Sequence, residues 1–387
     1  MPACYAAKVS FVDLSFFPFY FTKMLLYEIS LTLIDGIGDV LAKNLVSYCG
    51  SAESVFKESK RKLEKIPGIG EKTALSISSF SDFQRAEEEI RFIEKNQIIP
   101  LFYTHPDYPK RLKNCMDAPV MLYYKGTADL NSQRMVAIVG TRSATDYGKD
   151  FTLKLISDLK NLNVCIVSGL AYGIDVSAHK AALKNEMATI GVLGHGLDRI
   201  YPPVHNSIAE KMLTSGGLLT EYISETNPDK ENFPARNRIV AGISDAVVVI
   251  EAASTGGALI TAEIANIYNR DVFALPGKIG DNYSEGCNHL IKKNKAALIE
   301  SAKDIEYIMG WEEKRDSKIP VRQSSLFIEL DEEEKNLVAL LSTKGRLDID
   351  SICNNSSLPV SRVSSTLLNL EFKGVLKSLP GKIFELI

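Results

Sequence analysis

Three arginines stand out: Arg142 in the glycine-containing turn Gly140-Thr141-Arg142-Ser143, and Arg236 and Arg238 in Phe233-Pro234-Ala235-Arg236-Asn237-Arg238. A guanidinium fork holds a phosphate through two parallel hydrogen bonds and also stacks on a nucleobase. Glycines recur in Ser168-Gly169-Leu170-Ala171-Tyr172-Gly173 and in Gly194-His195-Gly196. Glycine lets a ligand backbone come close and lets helix N-termini turn their free N–H groups toward it. Guanidinium groups among such helix starts make an anion site, for which a repeating phosphate chain is the natural ligand. The competing reading pairs Arg236 and Arg238 with Asp245, Glu251 or Glu221, where they would only brace the scaffold.

Other combinations offer less chemistry. Glu251, beside Ser254-Thr255-Gly256-Gly257, is the one candidate catalytic carboxylate. Asp175 and His179 are four residues apart, hence on one helix face, where a capping or packing hydrogen bond is a simpler reading than an acid–base pair. His195 and His205 flank a turn without metal-ligand spacing. The six cysteines, at 4, 49, 115, 165, 287 and 353, form no Cys-x-x-Cys pair. That argues against a disulfide framework and a structural zinc, and fits a reducing, cytoplasmic setting. There is no Gly-x-Gly-x-x-Gly after the first strand and no Gly-x-x-x-x-Gly-Lys-Ser/Thr loop, so a nicotinamide cofactor and ATP hydrolysis are unsupported. No cofactor and no metal are expected.

These residues need a scaffold that brings them to one edge. From Met135, short apolar runs (Met135–Val139, Val164–Val167, Thr189–Leu193, Ala246–Ile250, Val272–Leu275, Ala297–Ile299) alternate with amphipathic stretches such as Asp150–Lys160, Val176–Lys184 and Ala258–Tyr268. Strands buried on both faces, joined by helical crossovers, predict a Rossmann-like, mostly parallel α/β sheet. Ligands of such sheets sit at the carboxyl ends of the strands, where the glycine turns fall.

The 387 residues suit two or three domains, and the net charge of −3 excludes polyanion binding by bulk charge alone. No apolar run approaches the roughly 18 residues of a membrane span. Residues 1–23 read as an extension, disordered or non-native. Residues 24–96 read as a helical helix-hairpin-helix, SAM-like domain, because Asp35-Gly36-Ile37-Gly38 and Pro67-Gly68-Ile69-Gly70 each set a Gly-Ile-Gly turn between helical patterns. Residues 97–310 carry the connector and Rossmann-like domain, and 311–325 a polar linker. Residues 326–387 read as a winged-helix-like domain of three helices and a hairpin, with Ser361–Leu370 as its recognition helix. That last domain holds seven basic and nine acidic side chains. This favours protein contact or weak DNA contact over specific duplex reading.

Taken together, VAIVGTRSATDYG, VSGLAYGIDVSAH, GVLGHGLDRIYP, FPARNRIVAGISDAVVVIEAASTGGALITA and VFALPGKIGDNYSEGCNHLI resemble the DNA-processing protein A family (DprA, or Smf). The resemblance implies a non-enzymatic protein of natural transformation that binds and protects single-stranded DNA, helps load the RecA recombinase, and forms homodimers through the Rossmann-like domain. It places Arg142 on a phosphate and lines the same pocket with Ser143, Gly169 and Ala171. Arg236, Asn237 and Arg238 extend the strand path. The sequence departs from the family at Pro203-Val204, where some members carry a basic residue. It departs again at Lys292-Lys293-Asn294, in place of a Gly-Ala turn. Lys292 and Lys293 either add attraction for DNA or form a solvated helix end. The alternative function is a nucleotide-cleaving, nucleoside monophosphate phosphoribohydrolase-like enzyme built on Glu251 and the Ser254–Gly257 turn.

Overall fold

The two Gly-Ile-Gly turns have nearly the same backbone. Gly36 and Gly68 take φ of 81° and 85°, a region costly for any residue with a Cβ. Gly38 and Gly70 then start helices from extended conformations at φ/ψ of −89°/176° and −88°/175°. The computed structural model describes residues 19–311 and 330–387. It divides between Asn96 and Gln97 into two compact units. The first unit holds α1 (Phe19–Leu33), α2 (Asp39–Cys49), α3 (Ala52–Lys57), α4 (Lys60–Leu63), α5 (Glu71–Ser78) and α6 (Gln84–Asn96). Ile37 and Ile69, the middle residues of the two turns, are both buried. Rings of Tyr27, Phe56, Phe80 and Phe83 pack with neighbouring centroids 5.3–5.8 Å apart. The first helix begins at Phe19, inside the stretch assigned to the extension, since no glycine or proline interrupts Phe19–Ile34. The rest of that stretch, and most of the 311–325 linker, lies outside the described residues.

The second unit carries a sheet in the order β1-β2-β6-β5-β4-β3-β7-β8-β9. Its strands are β1 (Ile99–Phe102), β2 (Met121–Gly126), β3 (Met135–Gly140), β4 (Cys165–Ser168), β5 (Thr189–Val192), β6 (Gly217–Thr220), β7 (Ala246–Ile250), β8 (Asp271–Ala274) and β9 (Ala297–Leu298). From β6 to β9 every neighbouring pair is parallel. At the other edge β2 runs antiparallel to β6, and β1 antiparallel to β2. β3 and β7 are buried along nearly their whole length, as their β-branched runs require. The chain winds one way from β3 through β4, β5 and β6 and the other way through β7, β8 and β9. The crevice at the carboxyl ends of β3 and β7 is therefore the switch point of a doubly wound sheet.

The helices that cover the sheet are α7 (Lys110–Lys113), α8 (Asp146–Leu159), α9 (Ile174–Lys184), α10 (Asn206–Ser215), α11 (Asn232–Gly242), α12 (Gly257–Ile267), α13 (Glu285–Lys292) and α14 (Ala302–Ile308). Helix α11 contains the Pro-Ala-Arg-Asn-Arg run, Pro234–Arg238. Pro234 falls in the first turn of α11, where a missing N–H costs nothing. The remainder is a winged helix. Helices α15 (Glu332–Lys344), α16 (Ile349–Ser356) and α17 (Val360–Phe372) pack on a sheet of β10 (Leu347–Asp348), β11 (Leu376–Leu379) and β12 (Ile383–Leu386), in the order β10-β12-β11. Its core includes Leu337, Leu341, Ile352, Val363, Leu367 and Phe384.

Candidate nucleic-acid interface

The turn that carries Arg142 is held on three sides. A Cβ on Gly140 would stand 2.0 Å from the carbonyl oxygen of Ile250, so only glycine lets β3 end this close to β7. The Thr141 N–H donates to the Glu251 carbonyl at 2.7 Å, and the Ile174 N–H donates to Thr141 O at 3.2 Å. Gly173, at φ 76°, starts α9 against the same turn, and a Cβ there would meet Thr141 O at 2.2 Å. The backbone around Arg142 is thus fixed by β3, β7 and α9 while its side chain stays exposed.

The Arg142 guanidinium lies over the Phe233 ring, 5.6 Å from its centroid. The Tyr201 ring sits 5.9 Å from Phe233, and Tyr201 is 43% exposed. Tyr172, 48% exposed, stands edge-on to His205 at 5.2 Å. Beneath this surface, Arg236 is buried and donates through Nη1 to Gly169 O at 2.8 Å and to Val192 O, tying the ends of β4 and β5 together. Buried Asp175, in the first turn of α9, accepts from the Gly169 N–H at 3.1 Å. Burial pushes the Asp175 carboxyl up, and the Arg236 charge pulls it back. Burial likewise lowers the Arg236 guanidinium, Asp175 opposes this, and the charge of Arg142 adds to the lowering. The result is a hydrogen-bonded floor in which Arg236 and Asp175 offset each other's charge, topped by the exposed cation Arg142 and aromatic faces.

Family models match three stretches of the chain: DNA recombination-mediator protein A over residues 99–309, the DprA winged helix domain over 327–382, and a SAM-like helix-hairpin-helix tandem over 28–80. The chain belongs to the DNA recombination-mediator protein A (DprA/Smf) family. Protein Smf of Synechocystis is 39% identical over 283 residues, covering 70% of this chain and 70% of that one. DNA processing protein DprA of Streptococcus pneumoniae is 46% identical over 198 residues, 51% of this chain and 70% of that one. The X-ray structure of S. pneumoniae DprA matches with a TM-score of 0.64 at 35% identity, covering 72% of this chain and 96% of that chain.

In this DprA/Smf chain Arg142, Ser143, Gly169, Ala171 and Arg236 gather at the ends of β3 and β4. Arg142 and Ser143 are exposed and Gly169 and Ala171 half-buried, whereas Arg236 serves as the floor. Arg238 is turned elsewhere. It pairs with Glu221 and donates to Asp117 O. Residues two apart on a helix do not share a face, so once 232–242 is helical, Arg236 and Arg238 must diverge. The three guanidinium groups therefore do not line one open groove. Asn237 donates to Gly257 O at 3.1 Å and steadies the start of α12. Lys292 and Lys293 close α13, which runs antiparallel to the strands and ends at their amino edge. The backbone there, at Lys295 O, meets Asn266 near the end of α12. They are exposed but stand at the edge opposite Arg142.

The aromatic residues Tyr172, Tyr201 and Phe233 were missed by sequence reasoning, although each directly adjoins a glycine or proline of the family-like runs. Glu251, at φ 57°, is buried under a cleft of about 810 Å³ lined by Thr145, Tyr147, Gly277, Lys278 and Tyr283, among others. Its carboxylate accepts from the Thr145 N–H at 2.9 Å and from the Thr145 hydroxyl. Asp175 and His179 make separate bonds, His179 Nδ1 lying 2.7 Å from the Thr189 hydroxyl. No cluster of side chains suited to a metal occurs among the described residues, and no helix among them is long and apolar enough to cross a membrane.

Proposed function

We propose that this protein binds single-stranded DNA in the crevice at the ends of β3, β4 and β5, as a homodimer, during natural transformation and recombination, and presents the strand to RecA. One observation carries the reading. Arg142 is exposed, has no hydrogen bond or ion pair among the described residues, and sits on Phe233 beside Tyr201. A guanidinium grips phosphate, and exposed rings stack unpaired bases of any sequence. Ser143, Gly169 and Ala171 line the phosphate path, with the Gly169 N–H itself held by Asp175. Arg236 and Asn237 hold the floor on which that path lies. The names of the relatives, DNA processing proteins, and of the family, a recombination mediator, support DNA as the ligand. Dimerisation would let two crevices share one strand and raise affinity without new contacts.

The test is titration of fluorescent oligo-dT with wild type and Arg142→Ala over a salt series. Losing one charge-assisted phosphate contact weakens binding about tenfold and lowers the log–log salt slope by about 0.7. Equal affinity and slope in the variant would remove the pocket. The Glu251 cleft favours a second reading, cleavage of base from ribose phosphate, and release of free base from nucleoside monophosphates is its test. The two hydrogen bonds from Thr145 already occupy that carboxylate, so the first reading stands ahead.

A further inference from the structure

We propose that the recognition helix and hairpin turn of the winged helix are reserved for an intramolecular contact with the amino edge of the large sheet, latched by Arg270 and Asp350, and do not serve to read duplex DNA. Arg270 lies between α12 and β8 and is 4% exposed. Its Nη1 donates to Asp350 Oδ2 at 2.5 Å, while Nη2 donates to the carbonyls of Arg111 at 3.0 Å and Gly242 at 3.2 Å. The second oxygen of Asp350 accepts from Asn114 Nδ2 at 3.3 Å. Arg270 Nε is buried without a partner, yet a buried ion pair bonded in this way is costly to break from one side, because the charge left behind stays desolvated.

Further contacts involve the parts a helix-turn-helix module would turn to DNA. On α17, the Ser364 hydroxyl accepts from Asn269 Nδ2 at 3.3 Å. In the turn between β11 and β12, Gly381 sits so close to the end of α14 that a Cβ would stand 1.9 Å from Met309 O. Lys382 of the same turn reaches Asn269 Oδ1 at 3.5 Å and Asp271 at 4.0 Å. A duplex cannot enter where backbone already meets backbone. The domain's own basic side chains are also spent internally. Arg362 pairs with Glu333, Lys373 with Glu334, and Arg346 and Lys377 with Glu385. Little unpaired charge is left for phosphates. The contact lies at the strand edge opposite Arg142, so it leaves the single-strand crevice open.

The experiment uses the full chain with Asn269→Cys and Ser364→Cys, whose side chains touch, under mild oxidation with peptide mapping of the new link. The link is expected to form within one chain. At the urea concentration that half-undocks the doubly substituted chain, Asp350→Ala is expected to slow it about fivefold, since a roughly 1.4 kcal/mol loss lowers the docking constant about tenfold. Arg270 keeps its two carbonyl partners in that variant, and Asp350→Asn, which preserves side-chain volume, serves if the alanine variant fails to fold. Excess duplex oligonucleotide is expected to leave the rate unchanged. Absence of the link, an equal rate in the Asp350 variants, or slowing by duplex would each overturn the proposal.

Discussion

Alanine at position 169 would place a methyl group 2.4 Å from Nη1 and 2.5 Å from Nη2 of Arg236. Arg236 has nowhere near to go, being 4% exposed and bonded to Gly169 O and Val192 O. To admit the methyl, the guanidinium must leave its socket and strand two buried carbonyls. At about 1–3 kcal/mol for each unsatisfied buried group, the loss is roughly 2–6 kcal/mol. The assay is urea unfolding followed by the single tryptophan, Trp311, whose ring lies under Arg134 in the same unit. Gly169→Ala is then measured again in an Arg236→Met background, where the clash is relieved and its cost should fall below about 1 kcal/mol. Unchanged stability of Gly169→Ala alone, or the same cost in both backgrounds, refutes the role given to Arg236 as the floor of the crevice.

Phe233→Ala removes both a stacking face and the perch of Arg142. Oligo-dT affinity should fall by about 1–3 kcal/mol, and an unaltered dissociation constant would exclude the ring from the site. Burial pushes the Glu28 carboxyl in α1 up from 4.5 to about 7. The folded chain therefore keeps a proton that the unfolded chain releases. Stability from this group is full below pH 4.5 and is lost as pH rises through 7, by about 3 kcal/mol. Glu28→Gln should flatten that part of the stability profile, measured by far-UV circular dichroism in urea between pH 4 and 8. A slope retained in the variant would contradict it.

The parallel centre of the sheet could be read from Val136–Val139 and Ala246–Ile250, because strands covered on both faces need unbroken apolar runs. Strands β2 and β6 were not. Gly217–Thr220 is four residues long, and Met121–Gly126 follows a proline-broken stretch in which no alternation shows. The duplicated Gly-Ile-Gly turns were legible because the backbone at Gly36 and Gly68 needs positive φ, and that need is visible in the residue type. The turn that carries Arg142 was legible from Gly140, where a Cβ would meet the backbone of β7. The partners of Arg236 and Arg238 were not, since pairing depends on which face of α11 each occupies. Composition left Lys292 and Lys293 open between DNA attraction and a solvated helix end, and the direction of α13 carries them to the edge opposite Arg142. Tyr201 and Phe233 come together only because the loop after β5 meets the start of α11.

Photo-cross-linking of an iodouracil-substituted single strand to the full chain, followed by peptide mapping, tests most directly where an unpaired base rests. Adducts on Tyr172, Tyr201 or Phe233, lost when unlabelled oligo-dT competes, are the expected result. Adducts confined to the N-terminal helices, to the end of α13 or to the winged helix would contradict the account.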